Sequence, residues 1–175
     1  MTTDPRYPIG KVQLVDYSEK EKEAKIADIL FLPKMVEYAV LNLDEQQLHT
    51  PYRDGGWTIH QVVHHLADSH MNAFIRFKLA LTETNPIIKP YDEDLWSGLP
   101  DVTNVPVNVS ITLLHSLHRR WHALLETMSE QDFMLTVFHP EREKNIPLWD
   151  MFLIYAWHGK HHVAHITNLR ELNGW

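Results

Sequence analysis

The sequence contains no cysteine, which excludes a disulfide scaffold, a thiolate metal site and a cysteine nucleophile together. It also lacks any apolar run near the roughly 18 residues that a membrane-spanning helix needs. No block of lysine or arginine offsets the formal net charge of −7, so neither nucleic acid nor an acidic membrane surface is an expected partner. The opening stretch, Met1-Thr-Thr-Asp-Pro-Arg6, shows no basic-then-apolar signal pattern. Repeats and low-complexity tracts are missing as well. These absences predict a soluble cytoplasmic protein.

Histidine is what the chain has in excess, with thirteen in 175 residues. Without thiolates, any metal site here must be built from nitrogen and oxygen. The length suits one domain spanning residues 1–175, and 44% hydrophobic residues are enough for a sizeable core.

The densest histidine run is His158-Gly-Lys-His161-His162-Val-Ala-His165, inside a helix expected from Leu148 to Trp175. It holds two i, i+4 pairs, His158/His162 and His161/His165, a spacing that stacks two side chains on one helix face. Two imidazoles so placed can hold one metal ion without bending the backbone. At about 100° per residue, Lys160, Arg170 and Glu171 gather on one side. His158 and His162 fall with Tyr155, Ile166 and Leu169 on the other, and His161 and His165 turn toward the rim. Histidines inside an apolar stripe are costly to desolvate without partners, so this pair reads as metal ligands or as hydrogen-bonded core residues.

Taken in order, residues 1–17 carry Pro5, Pro8 and Gly10 and no helical period, which predicts an extended N-terminal arm on the body. Ser18 and Glu21 form a capping-box pattern that opens a first helix reaching about Asn42, and Pro33 should kink, break or restart it. Leu48 to Trp57 reads as a loop. Thr58 and Gln61 make a second capping box, and the helix behind it should run to about Leu81. Residues 83–108 hold four prolines and form a long crossover, which lets its flanking helices lie parallel. Ser110 is the expected start of a third helix with Leu114, Leu117, Trp121 and Leu125 inward. A short β-hairpin between Phe133 and Pro147 precedes the last helix. The expected fold is all-α, a four-helix bundle with a long crossover between helices 2 and 3, and such bundles often carry metal in their interior.

A catalytic zinc-type site takes three protein ligands and leaves a position open. On the second helix, His70 lies nearest the apolar centre, His65 on its edge and His64 on the polar side, so periodicity slightly favours His70. His118 and His122 form another i, i+4 pair that reads as surface. His49, His60, His115 and His139 look like loop or solvent-facing residues.

Three segments then carry a resemblance: Tyr52-Arg-Asp-Gly-Gly-Trp57, Val62-Val-His-His-Leu-Ala-Asp-Ser-His-Met-Asn72, and Trp157 through Ile166. Together they resemble the DinB/YfiT superfamily nearly end to end. The resemblance implies a four-helix bundle holding one divalent ion, zinc or nickel, on three histidines. By motif these are His65, ahead of Leu66-Ala67-Asp68, with His158 and His162. It implies a metal-dependent hydrolase that activates water. Related members transfer low-molecular-weight thiols such as bacillithiol, which makes a thiol S-transferase the alternative, with a non-catalytic metal-stabilised module as a third reading. It also implies a homodimer acting on a small-molecule substrate. Asp68, Tyr155 and His161 are the candidates for orienting a ligand, lining the mouth or moving a proton. Tyr52, Arg53, Asp54 and Trp57 are candidates for a binding edge.

Overall fold

Thr58 begins the element on which the site is built. Its hydroxyl accepts from the Gln61 N–H while the Gln61 amide returns to the Thr58 N–H, at 3.1 and 2.9 Å, a reciprocal cap that satisfies two orphan donors. The computed structural model describes residues 4–175, so Met1 to Thr3, with that much of the expected arm and of the opening stretch, lie outside the described residues. Among the described residues the elements are α1 (Glu19–Ala39), α2 (Glu45–Leu48), α3 (Ile59–Thr82), α4 (Glu93–Ser97), α5 (Pro100–Asn104), α6 (Val107–Thr127) and α7 (Glu130–Phe133). A hairpin of β1 (Thr136–His139) and β2 (Lys144–Pro147) follows, and then α8 (Leu148–Asn173).

The four long helices α1, α3, α6 and α8 make the bundle. Helix α1 packs on α6 and α8, and α3 packs on the same two, so α1 and α3 sit on a diagonal. Direction follows from the contacts. His64 meets Ser110, His70 meets His118 and Phe77 meets Trp121, so α3 and α6 are parallel, as the long crossover allows. His65 meets His162 while His70 meets Tyr155, so α3 and α8 are antiparallel.

The core is two apolar clusters rather than one. Phe77, Trp121, Phe133 and Phe152 centre the first, and Leu32, Ile59, Leu66, Leu114 and Ile166 centre the second. Between them lies a stratum of histidines from α3, α6 and α8: His65, His70, His118, His158 and His162. Gly159 fits this level because α8 presses against α1 there. A Cβ on it would stand 2.4 Å from Leu32 Cδ2.

Several elements differ from expectation. Pro33 sits inside an unbroken α1, and the carbonyl its missing N–H leaves free, that of Ile29, accepts instead from His118 Nδ1 at 2.6 Å. That helix stops at Ala39, short of Asn42, and only the Ser18 half of its first cap forms. Helix α6 starts at Val107 behind Pro106, ahead of the expected Ser110, whose hydroxyl is turned to His64 and caps nothing. The crossover contains the short helices α4 and α5, and α2 lies between α1 and the loop before α3. The crossover is also stitched to the hairpin, with Ile88 N donating to Phe138 O and Phe138 N to Pro86 O. Residues 4–17 form the expected arm, held where the Trp149 indole donates to Val15 O at 2.7 Å. The hairpin is as expected, in register Val137 to Ile146. No helix is long and apolar enough to cross a membrane among the described residues.

Candidate metal centre

Where α3 runs against α8, three histidines converge. One ligand atom each from His65, His158 and His162 lie within 4.8 Å of one another. His65 Nε2 and His158 Nε2 are 3.1 Å apart. Two nitrogens sharing a tetrahedral ion at about 2.0 Å would stand roughly 3.3 Å apart, so the pair is already near a chelating separation. His158 and His162 come from one face of α8, one turn apart, as the apolar phase of that helix predicts. His65 comes from the edge of the α3 stripe, because the edge is where α3 meets α8.

Electrostatics keep the cluster in the form that binds cations. Burial holds the His65 imidazole down to about 4. Burial, and then the neighbouring histidines, push His158 and His162 well below the ordinary range. All three are therefore neutral near pH 7, each with one bare nitrogen lone pair. His162 Nδ1 is buried without a hydrogen-bond partner among the described residues. Among the described residues no carboxylate joins the cluster. A neutral, all-nitrogen donor set with an open side fits the transition ions that imidazole suits and is a poor match for magnesium or calcium, which take oxygen.

The open side is a cavity of about 480 Å³, inside the usual range for a small-molecule site. Its walls are aromatic. The Trp57 ring lies 4.5 Å from His65, Tyr52 stacks on His165 at 4.0 Å, and Trp157 stacks on His161 at 4.4 Å. A tight turn presents the first two of these, with Tyr52 N bonded to Trp57 O and Gly55 at φ +64°, where a side chain would be strained. The Trp57 indole donates to Asp94 at 3.0 Å, which ties this turn to α4.

The candidates read from the sequence divide. His161 lines the cavity, as do Tyr52, Arg53 and Trp57; Asp54 is not among the lining residues. His165 lines it too, and both His161 and His165 are buried, not rim residues. Asp68 is elsewhere. Its carboxylate makes no hydrogen bond to a histidine among the described residues, and burial followed by Asp101 raises it to about 6. Tyr155 is not at the mouth. Its hydroxyl accepts from Arg76 at 2.8 Å, and it lines a separate cavity of about 80 Å³ beside His139.

Three histidines read as exposed or polar-facing are buried. His64 spends both nitrogens on oxygen, at Ser110 Oγ (2.8 Å) and Val105 O (2.9 Å). His60 stacks on His49 at 4.9 Å, and His118 reaches Ile29 O across the bundle. Their partners lie on other elements, which a single helix's period does not reveal. Arg6, Tyr7, Glu93, Asp94 and Trp157 also line the cavity and were not singled out. Trp157 carried a usable signal, being i, i+4 to His161, whereas the arm residues Arg6 and Tyr7 carried none.

A four-helix bundle with three neutral histidines facing one cavity defines a class, and comparison with known proteins places the chain in it. Residues 30–166 match the DinB superfamily, and the chain belongs to that family. It is similar to YfiT of Bacillus subtilis, 48% identical over 170 residues that cover 97% of this chain and 96% of that protein. A Bacillus mycoides relative is 51% identical over 173 residues, covering 98% and 99% of the two chains. Both are named, provisionally, as metal-dependent hydrolases. The solved structure of the Bacillus subtilis protein, described as a probable metal-dependent hydrolase with an unusual four-helix bundle topology, superposes with a TM-score of 0.96. It is 46% identical, and the match covers 99% of both chains.

Proposed function

We propose that this protein is a metal-dependent hydrolase in which His65, His158 and His162 hold one divalent ion, zinc by preference and nickel as the alternative. The observation that carries the reading is the convergence of three neutral imidazoles on one cavity, two of their nitrogens 3.1 Å apart, with no carboxylate in the cluster among the described residues. A divalent ion there supplies Lewis acidity, lowering the pKa of water from 15.7 toward roughly 7. The chain does the rest. Burial keeps the three imidazoles unprotonated, so no proton competes for their lone pairs at neutral pH. Tyr52, Trp57 and Trp157 line the cavity and offer flat apolar surface to a small substrate. His161 and Glu93 line the same space and are two of the groups there able to accept a proton from water. The Glu93 carboxyl is raised by burial and by Asp94 and Asp92, toward the range useful for that task.

Thiol transfer is the second reading. The chain has no cysteine of its own, and a cavity of about 480 Å³ admits a small thiol beside an electrophile. Metal analysis of the purified protein, with zinc and nickel add-back, tests the site. One ion per chain is expected, and His158→Ala should abolish tight binding. A protein that neither retains an ion nor takes one up defeats the proposal. For the reaction, the loaded protein is assayed on ester and amide panels and, separately, with bacillithiol and an electrophile. Ion-dependent hydrolysis is the expected result, and turnover only with the thiol transfers the assignment to the second reading.

A further inference from the structure

Behind His158, on the side away from the cavity, stands His70, fully buried at 0% exposure. His158 Nδ1 lies 3.3 Å from His70 Nε2. A neutral imidazole has one N–H and one lone pair. For His158 to present its Nε2 lone pair beside His65, its proton must be on Nδ1, and that proton points at His70 Nε2. His70 must then keep its Nε2 bare and carry its own proton on Nδ1, an atom buried without a hydrogen-bond partner among the described residues.

The ring of His70 is held from three sides. His118 stacks on it at 4.9 Å with 21° between planes, and Trp121 and Tyr155 meet it edge-on at 5.8 and 5.6 Å. His118 is fixed in turn by its 2.6 Å bond to the Ile29 carbonyl. That carbonyl has no helical donor of its own, because the residue four positions on is Pro33, which has no N–H to offer it. A line of contacts thus runs from a proline in α1, through two stacked imidazoles, to the back of a cavity histidine.

We propose that His70 is the positioning residue for His158: its Nε2 accepts the His158 Nδ1 proton, fixing ring plane and tautomer so that His158 Nε2 faces His65, while the Pro33–Ile29–His118 line holds His70 in place. Metal-binding histidines usually give that proton to a carboxylate, a backbone carbonyl or water; here a third-helix-backed imidazole takes it. The proposal rests on the three-histidine reading above, and it makes His70 an orienting group outside the ligand set.

Zinc affinity, measured by competition with a chelator, tests it alongside the melting temperature of each metal-free protein. His70→Leu should weaken zinc by about 10- to 100-fold with no fall in the metal-free melting temperature, since leucine removes a buried unpaired N–H. His70→Gln places an amide oxygen near the old Nε2 and should stay within about threefold of the parent. Parental affinity in the leucine variant, or a glutamine variant no better than leucine, overturns the proposal. His158→Ala in the same titration separates the two claims: if it binds zinc like the parent, the ligand assignment fails first. Should the leucine variant not fold, long-range ¹H–¹⁵N spectra of the zinc-loaded parent decide. His70 is expected as the Nδ1–H form, and a proton on its Nε2 overturns the proposal.

Discussion

His64 and His65 are adjacent on α3, about 100° apart around the helix, and both are buried. His64 looks toward α6 and the end of the crossover, where a hydroxyl and a carbonyl take both of its nitrogens. It clamps α3 to α6 much as a backbone pair would. His65 looks toward α8 and finds nitrogen, from His158 at 3.1 Å, with Trp57 against its face. One imidazole is complete within the protein and the other is not. Burial and a lowered pKa do not separate them, since burial lowers both; what separates them is the identity of the partner atoms. In a histidine-rich interior, a functional cluster is recognised by nitrogens that face one another with no oxygen between them.

Exchanging the two roles by mutation gives the largest effects. His65→Ala should weaken zinc by more than about a hundredfold, beyond what loss of a mere orienting partner costs, while the metal-free protein keeps most of its stability. His64→Ala should do the reverse. It leaves the Ser110 hydroxyl and the Val105 carbonyl without their partner beside a new cavity, a loss of about 2–3 kcal/mol, with one zinc still bound per chain. Urea denaturation of the metal-free proteins and chelator competition read the two axes, and a His64 variant that loses zinc would erase the distinction.

A second contrast is in pH. His65 titrates at about 4 in the folded chain, against about 6.5 when unfolded. Between those values the unfolded chain binds a proton that the folded one refuses, so metal-free stability falls as pH drops through this window. Below about 4 both forms are protonated and this contribution to the slope ends. His65→Ala should therefore flatten the fall between about pH 6 and 4.5, by up to roughly 1.4 kcal/mol per pH unit. Urea midpoints across that range measure it, and parallel wild-type and variant curves would show that His65 protonates freely in the fold.

Gly159 tests the same wall from outside. Alanine there brings Cβ within 2.4 Å of Leu32 Cδ2 in a fully packed contact between α1 and α8. Overpacking outweighs the better helix propensity, for a net loss of about 1–2 kcal/mol. Because the glycine lies between His158 and Lys160, zinc affinity should fall with stability; Leu32→Ala in the same chain should relieve the clash and recover part of the affinity.

How much of this the sequence made legible depends on where each partner lies. The Thr58–Gln61 cap, the hairpin and the His158/His162 face are local patterns and were readable, whereas α4 and α5 are too short for a period to register. Ser110 looked like a helix start because serine so often caps, yet its hydroxyl serves His64 across the bundle. His70 outranked His65 by periodicity, and it is indeed the more buried of the two. Depth in the stripe, however, does not say which neighbouring helix a side chain meets. His65 was identified by its motif, and only the packing of α3 on α8 explains why an edge position reaches the cavity. Pro33 was expected to interrupt α1, and the acceptor it frees found its donor in another helix.

Asp68 gives the smallest effect and the cleanest negative. One turn from His65, it was a natural candidate to orient that ligand, but it faces Asp101 and makes no hydrogen bond to an imidazole among the described residues. Burial and that neighbour raise its carboxyl to about 6, above an unfolded value near 3.9. A raised carboxyl costs stability once it ionises, so Asp68→Asn, which mimics the protonated acid, should gain on the parent as pH rises from about 4 to 6 and hold the gain above that. The side chain is only partly buried, and solvent screening keeps the gain below about 1 kcal/mol. Zinc affinity should not change. A tenfold loss of affinity in the asparagine variant would return Asp68 to the site as an orienting carboxylate, since an amide placed there holds its neighbour without the charge.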